Sequence, residues 1–294
     1  MVALGVLTVL SCSDDDSNEN LNIKKELISI IKDSYVGNSK TFSTKYNFYH
    51  KRLISIQYSD GSYDDILYEN DLIKRILEFD SNNNLEWTTT YSYDNEGRLK
   101  IKNVIPSPNY HINTSRQKEF TYNGDEIIGL LTFSNGNNTV KTIMTINANE
   151  QIIKEILITG EGSLISTREY IYSVNDVSTA LLKDRNDETS FEASYEYIDN
   201  EVSEVYHYNK YLFGDKWKNN LALSTQLGLN HLGAHIISEK YIKKYHTTIL
   251  SSSTRDGVFE YEFDNNNNIL KIVENINDSN GSRFKMETIF EYNQ

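Results

Sequence analysis

Apolar and polar residues alternate through most of this chain, and the alternating segments are separated by clusters of Asn, Asp and Gly. Two stretches show the unit most clearly: Tyr91-Ser92-Tyr93-Asp94-Asn95-Glu96-Gly97-Arg98-Leu99-Lys100-Ile101 and Tyr261-Glu262-Phe263-Asp264-Asn265-Asn266-Asn267-Asn268-Ile269-Leu270-Lys271-Ile272. Each has an aromatic pair at i and i+2, then a turn, then a branched aliphatic run. A period of two sends both rings of a pair to one side of a pleated strand. The Asn/Asp/Gly clusters accept the positive φ of a tight turn. Each unit therefore predicts a hairpin.

The unit recurs. Glu26-Leu27-Ile28-Ser29-Ile30 is nearly copied by Arg52-Leu53-Ile54-Ser55-Ile56. The aliphatic anchors Leu27, Leu53, Leu72, Leu99, Ile127, Ile152, Val177, Val202 and Ile269 fall mostly 25 to 28 residues apart. Such a period holds two strands of the usual five or six residues, with their turns. The predicted fold is all-β: a repetitive antiparallel meander forming an extended or curled sheet, with one irregular, partly helical insertion. That insertion, at about 206–247, occupies the one long interval and contains Leu221-Ala222-Leu223-Ser224-Thr225-Gln226-Leu227-Gly228-Leu229, either a functional excursion or a plug for one end of the sheet. The regular i, i+2 spacing of Phe120/Tyr122, Tyr170/Tyr172, Tyr195/Tyr197 and Phe290/Tyr292 assigns these rings to the core.

The Tyr-x-Tyr-Asp-x-x-Gly-x-Leu pattern, best at Tyr91 to Leu99, resembles YD (RHS-type) repeats and, more closely, the repeat-bearing lipoproteins of Bacteroidota. The resemblance runs from about Leu27 to Tyr292. It implies an elongated or curled β-sheet, sometimes a shell, and transfers no catalytic residue.

The N-terminus adds a location. Val2 to Ser11 is an apolar run before Cys12, the only cysteine, and is too short for the roughly 20 apolar residues of a membrane span. It reads as the h-region of a signal peptide covering residues 1–11. Val9-Leu10-Ser11-Cys12 resembles a bacterial lipobox, which implies that Cys12 carries a lipid that holds the chain to a membrane. The acidic stretch at 12–24, led by Ser13-Asp14-Asp15-Asp16, reads as a disordered tether. It also resembles a surface-export signal of Bacteroidota lipoproteins, which implies an outer-membrane, cell-surface position. Residues 25–294 then form the repeat domain.

Composition narrows the partners. A net charge of −13 argues against nucleic acid, whose phosphates need a concentrated basic patch. Phosphate-cradling loops, nucleophile elbows and Cys/His clusters are absent from the sequence, so neither a catalytic residue nor a cofactor is assigned. His231, His235 and Glu239 have helical ligand spacing, but Gly228 and Gly233 oppose the helix and no metal is assigned. Asp80-x-Asn82-x-Asn84 and Asp264-x-Asn266-x-Asn268 imitate half a calcium loop and fit hairpin turns better.

The expected function is a non-enzymatic binding or adhesion module for a glycan or protein ligand, with Trp217, Trp87 and Tyr211 as candidate contacts. The alternative is a structural component that pairs with a partner through open sheet edges.

Overall fold

The computed structural model describes residues 25–50, 52–111, 114–136, 139–149, 151–202, 240–249 and 253–293. The first nine strands are β1 (Leu27–Val36), β2 (Ser39–Tyr49), β3 (Arg52–Tyr58), β4 (Tyr63–Glu69), β5 (Leu72–Phe79), β6 (Leu85–Tyr93), β7 (Leu99–Pro106), β8 (Arg116–Asn123) and β9 (Glu126–Phe133). The second nine are β10 (Thr139–Ile146), β11 (Ile152–Thr159), β12 (Leu164–Ser173), β13 (Asp176–Lys183), β14 (Thr189–Val202), β15 (Lys240–Ile249), β16 (Ser253–Phe263), β17 (Ile269–Asp278) and β18 (Arg283–Tyr292).

All eighteen lie in one antiparallel sheet in which each strand pairs with its sequence neighbours. β18 also pairs with β1, from Leu27↔Tyr292 to Val36↔Phe284. The meander is therefore closed into a barrel. This corrects the expected open or curled sheet, and it removes the free edges that the assembly alternative required. The expected helical insertion is corrected at its C-terminal end, where Lys240 to Thr247 belong to β15; the remainder falls outside the described residues, as do Cys12, Tyr211 and Trp217.

A physical cause of closure is visible in the hairpins. Where an even strand turns into the next odd strand, the register shifts beside the anchor, as between Ser92/Tyr93 opposite Leu99, Ile171/Tyr172 opposite Val177 and Glu262/Phe263 opposite Ile269. A bulge increases local twist and bends its strand. Repeated at one level around the sheet, it coils the ribbon until the first and last strands meet, and eighteen strands are more than an open twisted sheet readily carries.

The anchors and tyrosines form one rim of this barrel. Leu53, Ile73, Leu99, Val177, Ile242 and Ile269 are almost completely buried, with Leu99, Val177 and Ile269 at 0% exposure. The last tyrosine of each following even strand reaches back over its anchor. Tyr68, Tyr93, Tyr122, Tyr172, Tyr197, Tyr261 and Tyr292 donate through their hydroxyls to the carbonyls of Leu53, Ile73, Leu99, Ile152, Val177, Ile242 and Ile269, at 2.5 to 2.9 Å. Phe48 and Ile146 occupy the corresponding positions of β2 and β10 and carry no hydroxyl. A tyrosine can bury its ring in the core while satisfying its hydroxyl on a backbone carbonyl. Burial holds the hydroxyls of Tyr68, Tyr93 and Tyr122 above the usual phenol range.

The turns explain the calcium-like sequences. Asp80 Oδ1 accepts the backbone N–H groups of Asn82 and Asn84 at 2.9 and 2.8 Å, and Asp264 Oδ1 does the same for Asn266 and Asn268. Hydrogen bonds from the side chain and backbone of Asn84 lower the Asp80 carboxyl, and those of Asn268 lower Asp264. These carboxylates hold their own loops.

Candidate functional site

The register fixes which side chains face inward. On β6, β7 and β8 the inward rows are Trp87, Thr89, Tyr91, Tyr93; Leu99, Lys102, Val104; and Arg116, Lys118, Phe120, Tyr122. The outward rows carry Thr88, Thr90, Ser92, Asn103, Gln117, Glu119 and Thr121 together with Ile101 and Ile105. Elsewhere the outer wall holds ion pairs between neighbouring strands, including Lys154 and Lys183 on Glu169 at 3.5 and 3.3 Å, Lys271 on Glu287 at 3.0 Å and Lys244 on Glu196 at 2.8 Å. A barrel wall set in lipid presents an apolar band about 25 Å tall. This wall mixes such ion pairs with apolar side chains, as where Ile128, Ile143 and Ile156 stand side by side on β9, β10 and β11.

The lumen is filled unequally. At the rim where odd strands turn into even ones, a cavity of about 700 Å³ lies between β1, β2 and β14 to β18. Its lining includes Phe42, Tyr46, Tyr195, Tyr245 and Phe259 with the charged groups Lys32, Arg255 and Glu274. Phe42 and Val36 are 42% and 54% exposed there, so this end is open. A cavity of this size, mainly apolar with a few convergent polar groups, is typical of a ligand site.

Gly257 shapes one wall of it. A Cβ at this position would stand 2.1 Å from the Tyr245 ring, which lies directly opposite on β15. The missing side chain lets Tyr245 lie across β16 and donate from its hydroxyl to Glu274 Oε1 on β17, at 2.9 Å. Burial raises the Glu274 carboxyl and lowers the Lys32 ammonium. Arg255 is held by Asp278, with Nε at 2.6 Å from Oδ1.

A second polar arc lines β3 to β8. Tyr58 donates to Asp64 Oδ2 at 2.8 Å, and Thr89 donates to Glu78 at 3.3 Å. Desolvation raises Asp64 to about 7 despite the Tyr58 hydrogen bond, and raises Glu78. Lys102 falls to about 8 through burial, and burial lowers Lys118. Trp87 faces inward, edge-on to Tyr110 at 5.1 Å between ring centres and 5.4 Å from the Arg116 guanidinium carbon.

Of the contacts expected from sequence, Trp87 stands on the lumen face of β6, and Trp217 and Tyr211 lie outside the described residues. Sequence reasoning misses the inward charges. Their signal is nonetheless present: Lys102, Lys118 and Glu274 occupy the face of their strands that also carries the core residues, a place where charge is rare unless it has a purpose. Among the described residues no cluster of His, Cys, Asp and Glu is arranged to hold a metal ion.

Closed wall, packed rim and open lumen define an antiparallel β-barrel with a cavity toward one rim. No protein-family model matches the chain, and no curated protein does. Similar solved structures include a porin-like protein from Bacteroides vulgatus, 14% identical over 92% of this chain and 99% of that one, with a TM-score of 0.42. Another is a porin-like protein from Bacteroides uniformis, 10% identical over 91% of this chain and 96% of that one, at 0.35. A DUF4623 family protein from Bacteroides eggerthii is 9% identical over 91% of this chain and 99% of that one, at 0.19. Likeness at this level carries no functional argument.

Proposed function

We propose that this protein is a non-enzymatic binding module, held to the outer membrane by a lipid on Cys12 and displayed at the cell surface, whose glycan ligand enters the barrel through its open rim. The observation that carries this reading is the unequal lining of the lumen: one rim is lined by buried aliphatics under tyrosines that bond along the wall, while the other opens into an aromatic, charge-bearing cavity of about 700 Å³. The charged outer wall leaves attachment to the N-terminus, since an ionised side chain facing lipid costs roughly 2 to 4 kcal/mol at the midplane. The residues after Cys12 and before the barrel, 13–24, can span up to roughly 40 Å when extended, enough to hold the barrel clear of a bilayer.

Two measurements test this. Protease treatment of intact cells followed by fractionation should find the native chain membrane-bound and cleaved from outside, and Cys12→Ala released into the soluble fraction. Release of the native chain by high salt alone would remove the lipid anchor. Glycan-array binding by the whole protein should then be lost in Phe259→Ala with the barrel still folded by circular dichroism. Retained binding would move the site out of the lumen.

A further inference from the structure

Three cations share one stretch of the lumen face. Lys102, Arg116 and Lys118 lie on adjacent strands β7 and β8, facing inward. Among the described residues, none of the three has a carboxylate within ion-pair distance. Their described contacts are with aromatic rings: Lys102 is 5.9 Å from the centre of Tyr91, Lys118 is 5.2 Å from Phe120 and Arg116 is 5.4 Å from Trp87. The carboxylates that act on them from a distance, Glu78 on Lys102 and Arg116 and Glu155 on Lys118, are bonded to other side chains, Glu78 to Thr89 at 3.3 Å and Glu155 to Arg168 at 3.2 Å.

Lys102 and Lys118 are also directly opposite one another in the ladder. Like charges in that position repel, and burying an unpaired cation is unfavourable. A sheet under selection for stability alone has no reason to place two lysines there. The adjacent position on β6 is Tyr91, opposite Lys102. Tyr91 is 2% exposed, and its hydroxyl is buried without a hydrogen-bond partner. Tyr91, Lys102 and Lys118 therefore form a row about 10 Å long at the usual strand spacing, with Arg116 about 7 Å nearer the open rim. Four donors share this face of the lumen; Glu78 and Glu155 act on the three cations electrostatically, but among the described residues no carboxylate closes an ion pair or hydrogen bond with them.

We propose that this row is an anion subsite, and that the ligand of the lumen is an acidic saccharide whose carboxylate or sulfate group is taken by Lys102, Lys118 and Arg116 with the Tyr91 hydroxyl as a further donor. The inference rests on the binding reading above and sharpens it. β7 and β16 stand nine places apart in a ring of eighteen, so the row faces the aromatic cavity across the lumen. Only an oligosaccharide running across the lumen would touch both Tyr245 and Phe259 on one wall and the cations on the other, since eighteen strands enclose a lumen far wider than one sugar ring. The shared chemistry is an anionic group on a pyranose ring, and its two sources, uronate and sulfate ester, are separable by experiment.

The test uses the full-length protein in detergent, with binding read by isothermal titration calorimetry. An oligogalacturonate, a sulfated chondroitin oligosaccharide and a neutral cello-oligosaccharide of equal length are titrated. Binding of either acidic ligand at least tenfold tighter than the neutral one is expected, and the stronger acidic ligand identifies the group. Lys102→Met and Lys118→Met should each weaken that binding about tenfold, the usual scale for one charge-assisted hydrogen bond. The unliganded Tm should stay level or rise, because a buried repulsion is removed. Neutral binding equal to acidic binding would overturn the anion subsite while leaving the lumen site standing. No response to any acidic ligand would also overturn it, as would Met variants that bind unchanged or melt earlier, which would make the lysines structural.

Discussion

The two rims of the barrel are made of the same repeat and do opposite work. At the packed rim, each anchor is buried beneath a tyrosine whose hydroxyl closes on the anchor's own carbonyl, so apolar area and polar satisfaction are obtained from one side-chain pair. At the open rim, the inward positions of the same strands carry Lys32, Glu274, Lys102, Lys118 and half-buried rings. Moving four to six residues along a strand changes the lumen from core to cavity. The packed rim carries stability, and the open rim gives some of it up to desolvated charge, as ligand sites commonly do.

Leu99→Ala puts the greatest load on this contrast. Leu99 is fully buried at the packed rim, so truncation should cost about 2 to 5 kcal/mol in urea unfolding, with lumen ligand affinity unchanged in the folded fraction. A loss of affinity without loss of stability would mean that the rims are not separable. Gly257→Ala is next. The new methyl collides with the Tyr245 ring, and overpacking of this kind costs about 1 to 3 kcal/mol. In a double-mutant cycle with Tyr245→Ala most of that penalty should disappear.

Asp64→Asn reports on the open side through pH. Its folded-state value is raised to about 7 from 3.8 by desolvation, with Tyr58, Tyr46 and Glu78 around it. The folded protein therefore binds the extra proton between those limits, and stability should fall as pH rises from about 4 to 7. Above pH 7 Asp64→Asn should be more stable than the native chain by on the order of 1 kcal/mol, and the difference should vanish near pH 4. Equal stability across that range would place the carboxyl in water. Tyr93→Phe should have the smallest effect, about 1 kcal/mol for a single hydrogen bond to a carbonyl, measured as a shift in urea midpoint at constant slope.

Much of the packed rim is legible in the amino-acid sequence. Spacing picks out Leu53, Leu99, Ile127, Ile152, Val177 and Ile269 as anchors, and they stand at the starts of strands on the buried face. Leu72 is one residue early, because Asn70 and Asp71 form a two-residue turn with φ of 51° and 67° and the bulge beside it hands the anchor position to Ile73. Val202 is misplaced for a different reason: the interval that follows hides β15, whose anchor is Ile242. The tyrosines are rightly assigned inward, yet their hydroxyls reach a carbonyl on the neighbouring strand, which no spacing within one strand reveals. Trp87, a candidate contact, is placed on the lumen face by the register of β6.

The hairpins, their turns, the period and the apolar side of each strand are local properties, written in the chain because they follow from backbone geometry over a few residues. Closure of the sheet is not, because it depends on the sum of many small bulges and on Leu27 meeting Tyr292 across the whole chain. Nor is the row that joins Tyr91, Lys102 and Lys118, because alignment of residues on three strands is a property of the folded ladder and not of any one strand.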